Sequence, residues 1–346
     1  MTTTRAAGAP RRATIKDVAA EAGVSVAAVS KVIRNAYGVS EQMRERVNAA
    51  IDTLGYRPRT GARTMRGSSH TIGVLLTDFQ SPFQFEVASA IAERLAGTGY
   101  QDLLSVAGVT AEAYGRRVDA MLDLQVDGLV LISPRMRTEQ LHWLARQLPV
   151  TTIALHGEPE DFDTVVTDEA LGAELMVDHL TRLGHERITY NEIPRDPIEI
   201  DHPLSQTVRR DGFAAAMERR GLVPDVIAAE SSEAGGHELA ERSLSRRHRP
   251  TAVFASTDHT AFGVLEHLEA AGLAVPGDVS VAGYDNVHTS SLSRVSLTTV
   301  DQSGEQTGSA AISLLLERIG GRADARHHVV EPTLVVRSTT GPAADA

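Results

Sequence analysis

The chain has 346 residues, 42% of them hydrophobic and 23% charged, which exceeds what one ordinary core needs and suffices for two or three. It contains no cysteine, and that removes disulfides, thiolate nucleophiles and cysteine-based zinc or iron–sulfur sites together. The net charge of −11 hides an asymmetry: residues 1–70 carry twelve Lys and Arg against five Asp and Glu, a local balance of +7 that leaves −18 for the remainder.

A basic head on an acidic body is what a nucleic-acid-binding module attached to a different kind of domain would show. Attraction to phosphate acts locally and is screened over about 10 Å. The opening residues, MTTTRAAGAPRRA, lack the apolar stretch of a secretion signal, and no run approaches a membrane-spanning length. A cytoplasmic location is therefore expected, with residues 1–12 as a disordered tail.

The segment TIKDVAAEAGVSVAAVSKVIR, residues 14–34, divides into two short helices around a tight corner. Ile15, Val18, Ala19 and Ala22 recur with helical spacing on one face. Thr14 with Asp17 three positions later resembles a capping box. Gly23 supplies the left-handed residue that ends a helix, and Ser25 is placed to cap the next one. Val26, Val29 and Ile33 would continue the buried side. The outward residues of the second helix, Ala27, Ala28, Lys31 and Arg34, form a small basic face. Small side chains let a helix enter the major groove, where Val26 and Ala27 could touch thymine methyls and Lys31 could reach guanine or a phosphate. The bland alternative is a helical hairpin with a merely solvated basic side. A third helix follows, capped by Ser40, with Val47, Ala50, Ile51 and Leu54 as its stripe. This reading gives a helix-turn-helix domain over 13–59. The polar, basic stretch RTGARTMRGSSH then reads as a linker over 60–70.

From Thr71 onward, β-rich runs alternate with helical patterns: TIGVLL, DLLSVA, GLVLIS, VTTIAL, RITY, AVFAS and VSVAGY. That alternation predicts parallel sheets covered by helices on both sides, an α/β class of the doubly wound kind. About 270 residues suit two such lobes, and ligands of these sheets bind beyond the carboxyl ends of the strands. Residues at those ends are therefore candidates: Thr77 and Asp78 with Ser81, Pro82 and Phe83, then Asp258, then Asp285. A helix cap is the plainer explanation for Asp258.

The head, through IKDVAAEAGVSVAAVSKVI and VSEQMRERVNAAIDTLGYRP, resembles the lactose-repressor (LacI/GalR) family of bacterial regulators. Further pieces resembling that family run through the body: IGVLLTDFQSPF, VVTDEALGAELMVDHLTRLGHERI, SQTVRRDGF, AVFASTDHTAFGVLEHLEAAGLAVPGDVSVAGYDN, LTTVDQ and PTLVVRST. The resemblance implies a DNA-binding set made of Thr14, Ser25, Val26, Ala27, Ser30, Lys31, Arg34, Arg59, Arg63 and Met65. Met65 stands where the family places a minor-groove wedge on a hinge helix. It also implies a two-lobed, periplasmic-binding-protein-like body over 71–340. The first lobe would span about 71–167 and 304–331, and the second about 168–303 and 332–340. Effector would be held by Asp78, Phe83, Arg209, Thr257 and Asp285, with Arg209 otherwise a surface salt bridge.

Departures from the pattern are local. Ala28 and Arg34 replace a usual Thr and Asn, Thr257 replaces an Asn, and Ala154 stands where an acid commonly ends its strand. The stretch NEIPRDPIEIDHPL replaces a short turn, which implies a changed pocket.

The expected function is a ligand-responsive repressor of sugar-utilisation genes, binding a palindromic operator as a homodimer without any cofactor or metal. A purine or other small metabolite is the alternative effector. The ending TTGPAADA, without a leucine zipper, implies a dimer and not a tetramer. An enzyme on this fold is disfavoured: Gly97-Thr98-Gly99 is followed by Asp102 and not Gly, and His185-Glu186 lacks the second His of a zinc-protease motif. The thirteen His read as scattered surface or cap residues. A transport binding protein would share the body but not the basic head.

Overall fold

Local sequence determines the head. The computed structural model describes residues 13–33, 36–56, 68–194 and 200–344, and the chain divides into two compact units, Met1–Ser69 and His70–Ala346. In the first unit α1 (Ile15–Ala22), α2 (Val26–Ile33) and α3 (Glu41–Leu54) pack around Val18, Val29, Val47 and Ala50. Thr14 and Asp17 close a reciprocal capping box, Gly23 takes φ 64°, and the Ser25 hydroxyl accepts from the Ala28 N–H at 3.1 Å. Val26 is not part of the buried side: it is 40% exposed, and Val32 takes the inward place. As the first residue of α2, Val26 lies ahead of the turn that meets α1 and α3.

In the second unit two six-stranded sheets form. The first contains β1 (Thr71–Leu76), β2 (Gln101–Val106), β3 (Gly128–Ile132), β4 (Val150–Ile153), β5 (Asp163–Thr167) and β11 (His327–Val330), in the order β11-β5-β4-β3-β1-β2. All its pairings are parallel. The second contains β6 (Ile188–Glu192), β7 (Asp225–Ala228), β8 (Ala252–Phe254), β9 (Ser280–Asp285), β10 (Thr298–Asp301) and β12 (Thr333–Val335), in the order β12-β10-β9-β8-β6-β7. There only β12 runs antiparallel, against β10.

Parallel strands covered on both faces need apolar side chains on both. Along β3, Val130 and Ile132 face α4 (Pro82–Leu95) and α11 (Gly304–Ile319), while Leu129 and Leu131 join the core with Tyr114 of α5 (Ala111–Asp123) and Leu141 of α6 (Thr138–Ala145). The second sheet repeats this scheme. Tyr284 and Phe254 pack with α7 (Glu169–Arg182) and α8 (Ser205–Glu218), and Val253 and Val281 with α9 (Glu233–Leu244) and α10 (Asp258–Ala270). The chain passes between the sheets at β5 to α7, β10 to α11 and β11 to β12. Thr167 and Gln302, beside two of these crossings, are hydrogen-bonded at 3.5 Å.

The histidines are not all superficial. His185 is 1% exposed, and its ring nitrogens meet Thr251 Oγ1, Ser280 Oγ and the Gly341 carbonyl, which ties the C-terminal stretch to the second sheet. Burial lowers its pKa, as for a neutral ring serving as a core connector. No helix among the described residues is long and apolar enough to cross a membrane.

Candidate functional site

Two surfaces carry the expected chemistry. On α2 the first turn projects Val26 and Ala27, and Lys31 follows one turn later, all three exposed. Ser30 is half-buried. Thr14 is exposed, but its hydroxyl donates to Asp17 Oδ2 at 2.7 Å, and the Ser25 hydroxyl is engaged at the start of α2. Arg34, Arg59, Arg63 and Met65, expected to contact DNA, lie outside the described residues.

In the body, a cavity of about 660 Å³ lies at the carboxyl ends of strands of both sheets. It is lined by all five expected effector residues, Asp78, Phe83, Arg209, Thr257 and Asp285. On the first lobe's side the loop after β1 is set by its own hydrogen bonds. Asp78 Oδ1 accepts from the Gln80 and Ser81 N–H groups at 2.7 and 3.0 Å, and the Thr77 hydroxyl donates to Asp78 Oδ2 at 3.0 Å. Ser81 caps α4, with Pro82 in its first turn. Three of the acceptor positions of Asp78, on both oxygens, are thus spent shaping the turn that presents it.

On the second lobe's side the central group is Arg209, only 2% exposed. Its Nε donates to Glu169 Oε2 at 2.8 Å, Nη1 donates to the Ser256 carbonyl, and the guanidinium lies 3.4 Å over the ring of Tyr284. The surface salt bridge considered from sequence is therefore a buried ion pair. Burial works against its charge, yet Glu169 holds its pKa above the ordinary arginine value. Nη2 has no hydrogen-bond partner among the described residues, which leaves one planar N–H donor pair for a ligand.

Asp285 ends β9 with φ 125°, and Asn286 follows at φ 57°. Two successive non-glycine residues in this region store strain that the surrounding bonds must hold. Gln302 Nε2 donates to Asp285 Oδ1. Burial raises the Asp285 pKa well above the usual carboxylate range, against the pull of Arg209. Thr257 lines the cavity while capping α10, its hydroxyl accepting from the Thr260 N–H at 3.2 Å and meeting Ser231 Oγ at 3.0 Å.

Asp258 does neither thing expected of it. It is fully buried, receives the Ser290 and Thr299 hydroxyls and the Val287 N–H, and so fastens α10 to the loop after β9 and to β10. A carboxylate without solvent needs such donors. Sequence reasoning missed Arg135, Glu230, His259 and Gln302, which also line the cavity, and Glu169. Gln302, His259 and Glu169 stood within the family-like pieces LTTVDQ, AVFASTDHTAFGVLEHLEAAGLAVPGDVSVAGYDN and VVTDEALGAELMVDHLTRLGHERI, whereas Arg135 and Glu230 stood in none.

Chains with this head and body are known. Residues 14–59 match the model of bacterial regulatory proteins of the lacI family, and residues 177–340 match a periplasmic binding protein-like domain. The ribose operon repressor of Escherichia coli K12 is 34% identical over 316 residues, 89% of this chain and 93% of that one. The chain belongs to the lacI family. The transcriptional repressor PurR of Salmonella newport is 33% identical over 346 residues, covering 96% of this chain and 99% of the relative. Among solved structures, the lac repressor dimer bound to operator and an anti-inducer superposes with a TM-score of 0.79 at 25% identity, covering 96% of this chain and all of that one. This lacI-family chain is thus a DNA-binding regulator with an effector-binding body, and its relatives are repressors, not enzymes.

Glu86 on α4 stands beside the crossing into α11, where a Cβ placed on Gly304 would come within 2.9 Å of its own Cβ. Burial, together with the charges of Asp301 and Asp258, raises its pKa from 4.5 to about 7. The folded chain therefore binds this proton more tightly than the unfolded chain, so stability is full below about pH 4.5 and falls as pH rises through 7. Glu86→Gln should stabilise the protein at pH 8, by on the order of 1 kcal/mol once screening of this half-exposed group is allowed for. The gain should vanish at pH 4.5, as chemical denaturation at the two pH values would show.

Proposed function

We propose that the chain is a cytoplasmic repressor that binds a palindromic operator as a homodimer and responds to a small sugar held in the cleft. The observation that carries the DNA half is the exposed Val26, Ala27 and Lys31 face on a helix whose opposite side is core. A small apolar tip with one flexible cation fits base edges and phosphate in the major groove. The same reading gives Thr14, Ser25 and Ser30 backbone contacts, and Arg34, Arg59, Arg63 and Met65 further DNA contacts.

A symmetric dimer would read two half-sites about one helical turn apart. It is supported by apolar side chains on the first lobe that lack cover: Phe85 of α4 is 37% exposed, and Leu103 and Leu104 on the edge strand β2 are 36% and 41% exposed.

The cleft favours a sugar over a purine. Its aromatics, Phe79 and Phe83, come from the first lobe alone, while the second lobe offers the donor of Arg209, the carboxylates of Asp285 and Glu230 and the Thr257 hydroxyl. Aromatic faces set among donors and acceptors from both lobes, with Asp78 and Arg135 on one side and Arg209, Asp285 and Thr257 on the other, match a ring with hydroxyls around its edge. Relatives named for ribose and for purine repression lie at similar identity, so purine is the second reading.

The test is selection of a palindromic duplex by the purified chain, followed by Lys31→Ala on the selected site. Loss of one base or phosphate contact should weaken binding by about 1–3 kcal/mol per subunit, with little change in thermal midpoint. Lack of any preference for a palindrome over random duplex refutes the proposal, and unchanged affinity of the variant refutes the assigned face.

A further inference from the structure

From the end of β6 to α8 runs the proline-broken stretch NEIPRDPIEIDHPL. Its end reaches the other lobe. Asp201 Oδ1 accepts from both the N–H and the hydroxyl of Thr138, the first residue of α6, at 2.8 and 3.0 Å. This carboxylate satisfies the helix start that Arg137, the residue at the cap position, leaves without a side-chain acceptor. His202 Nε2 donates to the Met136 carbonyl at 3.1 Å. Leu204 pairs antiparallel with Leu155, just beyond β4. Ser205, which opens α8, meets His156 Nε2 at 3.0 Å.

All four contacts join the two lobes. The strand that leads into them, β6, is separated by β8 and β9 from β10 and β12, which carry chain crossings. Asp201 and His202, which meet Thr138 and Met136 beyond β3, therefore tie the lobes away from the covalent crossings, whereas Leu204 and Ser205 meet Leu155 and His156 beyond β4, the neighbour of the crossing strand β5. It also borders the cleft, since Ser205 lines the cavity with Arg135 and Ala154.

We propose that residues 201–205 form a latch that sets the lobes against each other before any ligand arrives, which makes Asp201 and His202 positioning residues for effector binding. The proposal rests on the reading of the cleft as the effector site. The latch keeps Asp78 and Arg135 of one lobe opposite Arg209 and Asp285 of the other. Apparent affinity scales with the fraction of molecules already in the competent arrangement, so a latched cleft binds effector more tightly than a hinged one of identical lining.

The natural absence of cysteine allows a direct test. Leu124 and Val223, one on each lobe and 56% and 84% exposed, are replaced by Cys in the full chain and labelled with a donor–acceptor dye pair. Labelled chains are mixed with excess unlabelled chain and read by single-molecule energy transfer without ligand. The parent should show one narrow transfer efficiency. Asp201→Ala combined with His202→Ala should add a second, displaced population. Asp201→Asn with His202→Gln, which keep an acceptor and an N–H donor in place, should restore the single one. Circular dichroism checks folding, and if the double variant does not fold, the same displacement is required of Asp201→Ala alone. Superimposable distributions in parent and alanine variant, or a broad distribution in the parent, overturn the proposal. Operator binding is measured separately: its failure in the parent would sink the regulator reading and leave the latch standing, and the reverse holds.

Discussion

Arg209→Ala is expected to destabilise the body by about 3–5 kcal/mol, because it strands the buried carboxylate of Glu169. Viewed only as a ligand contact, Arg209 would be a residue whose loss deletes effector response and spares everything else. The geometry says otherwise. Glu169 and Arg209 are 1% and 3% exposed at the side chain, the guanidinium also satisfies the Ser256 carbonyl, and it stacks on Tyr284. Nη2 and the second N–H of Nη1 are the donors that these contacts leave unused. A variant that removes both charges, Arg209→Met with Glu169→Gln, should recover most of the lost stability while the response to any sugar stays absent. Denaturant unfolding of the two single variants and the double variant closes the cycle. Additive losses would show that the pair is not coupled.

Buried pairing of this kind explains what the sequence could and could not convey. The helix-turn-helix was legible because its determinants are local: Thr14 and Asp17 are three residues apart, and Gly23 and Ser25 act on their own chain neighbours. The strands β1, β3 and β9 were legible because both of their faces are buried and they read as apolar runs. Asp225–Ala228 forms β7 with much less signal, since it is an edge strand with one fully buried residue.

Partnerships across the fold were not legible. Glu169 follows a helix cap and resembles any acid in a first turn, yet it is the counter-ion of a residue forty positions later. Asp258 stands one residue inside the cap, Thr257, and serves as a core fastener. His185 resembles a surface residue until Thr251, Ser280 and Gly341 converge on it. In each case the deciding contact is set by topology, which side-chain periodicity does not encode.

Asp163→Ala should be nearly as severe as Arg209→Ala, costing about 3–5 kcal/mol for the same physical reason. Asp163 opens β5 with no exposed surface. Its Oδ2 accepts from Arg318 Nε at 3.0 Å and Arg322 Nη2 at 2.7 Å, and its Oδ1 from Arg322 Nη1 at 3.1 Å and the Arg326 N–H at 2.8 Å. Arg318 lies on α11, Arg322 just beyond it, and Arg326 immediately before β11, so one carboxylate joins three pieces of the first lobe that adjoin the chain crossings. The hydrogen bond to Asp163 holds the Arg322 pKa above its ordinary value. Glu317 provides the control. It pairs with Arg322 and Arg326 at 2.9 Å each but is 46% exposed, so Glu317→Ala should cost less than about 1 kcal/mol. Urea unfolding of the two variants should separate them by at least about 2 kcal/mol, and comparable losses would mean that burial is not what gives the Asp163 cluster its strength. Because β5, α11 and β11 are the elements through which one lobe passes into the other, the Asp163 variant should also broaden the interlobe distance distribution with residues 201–205 left intact.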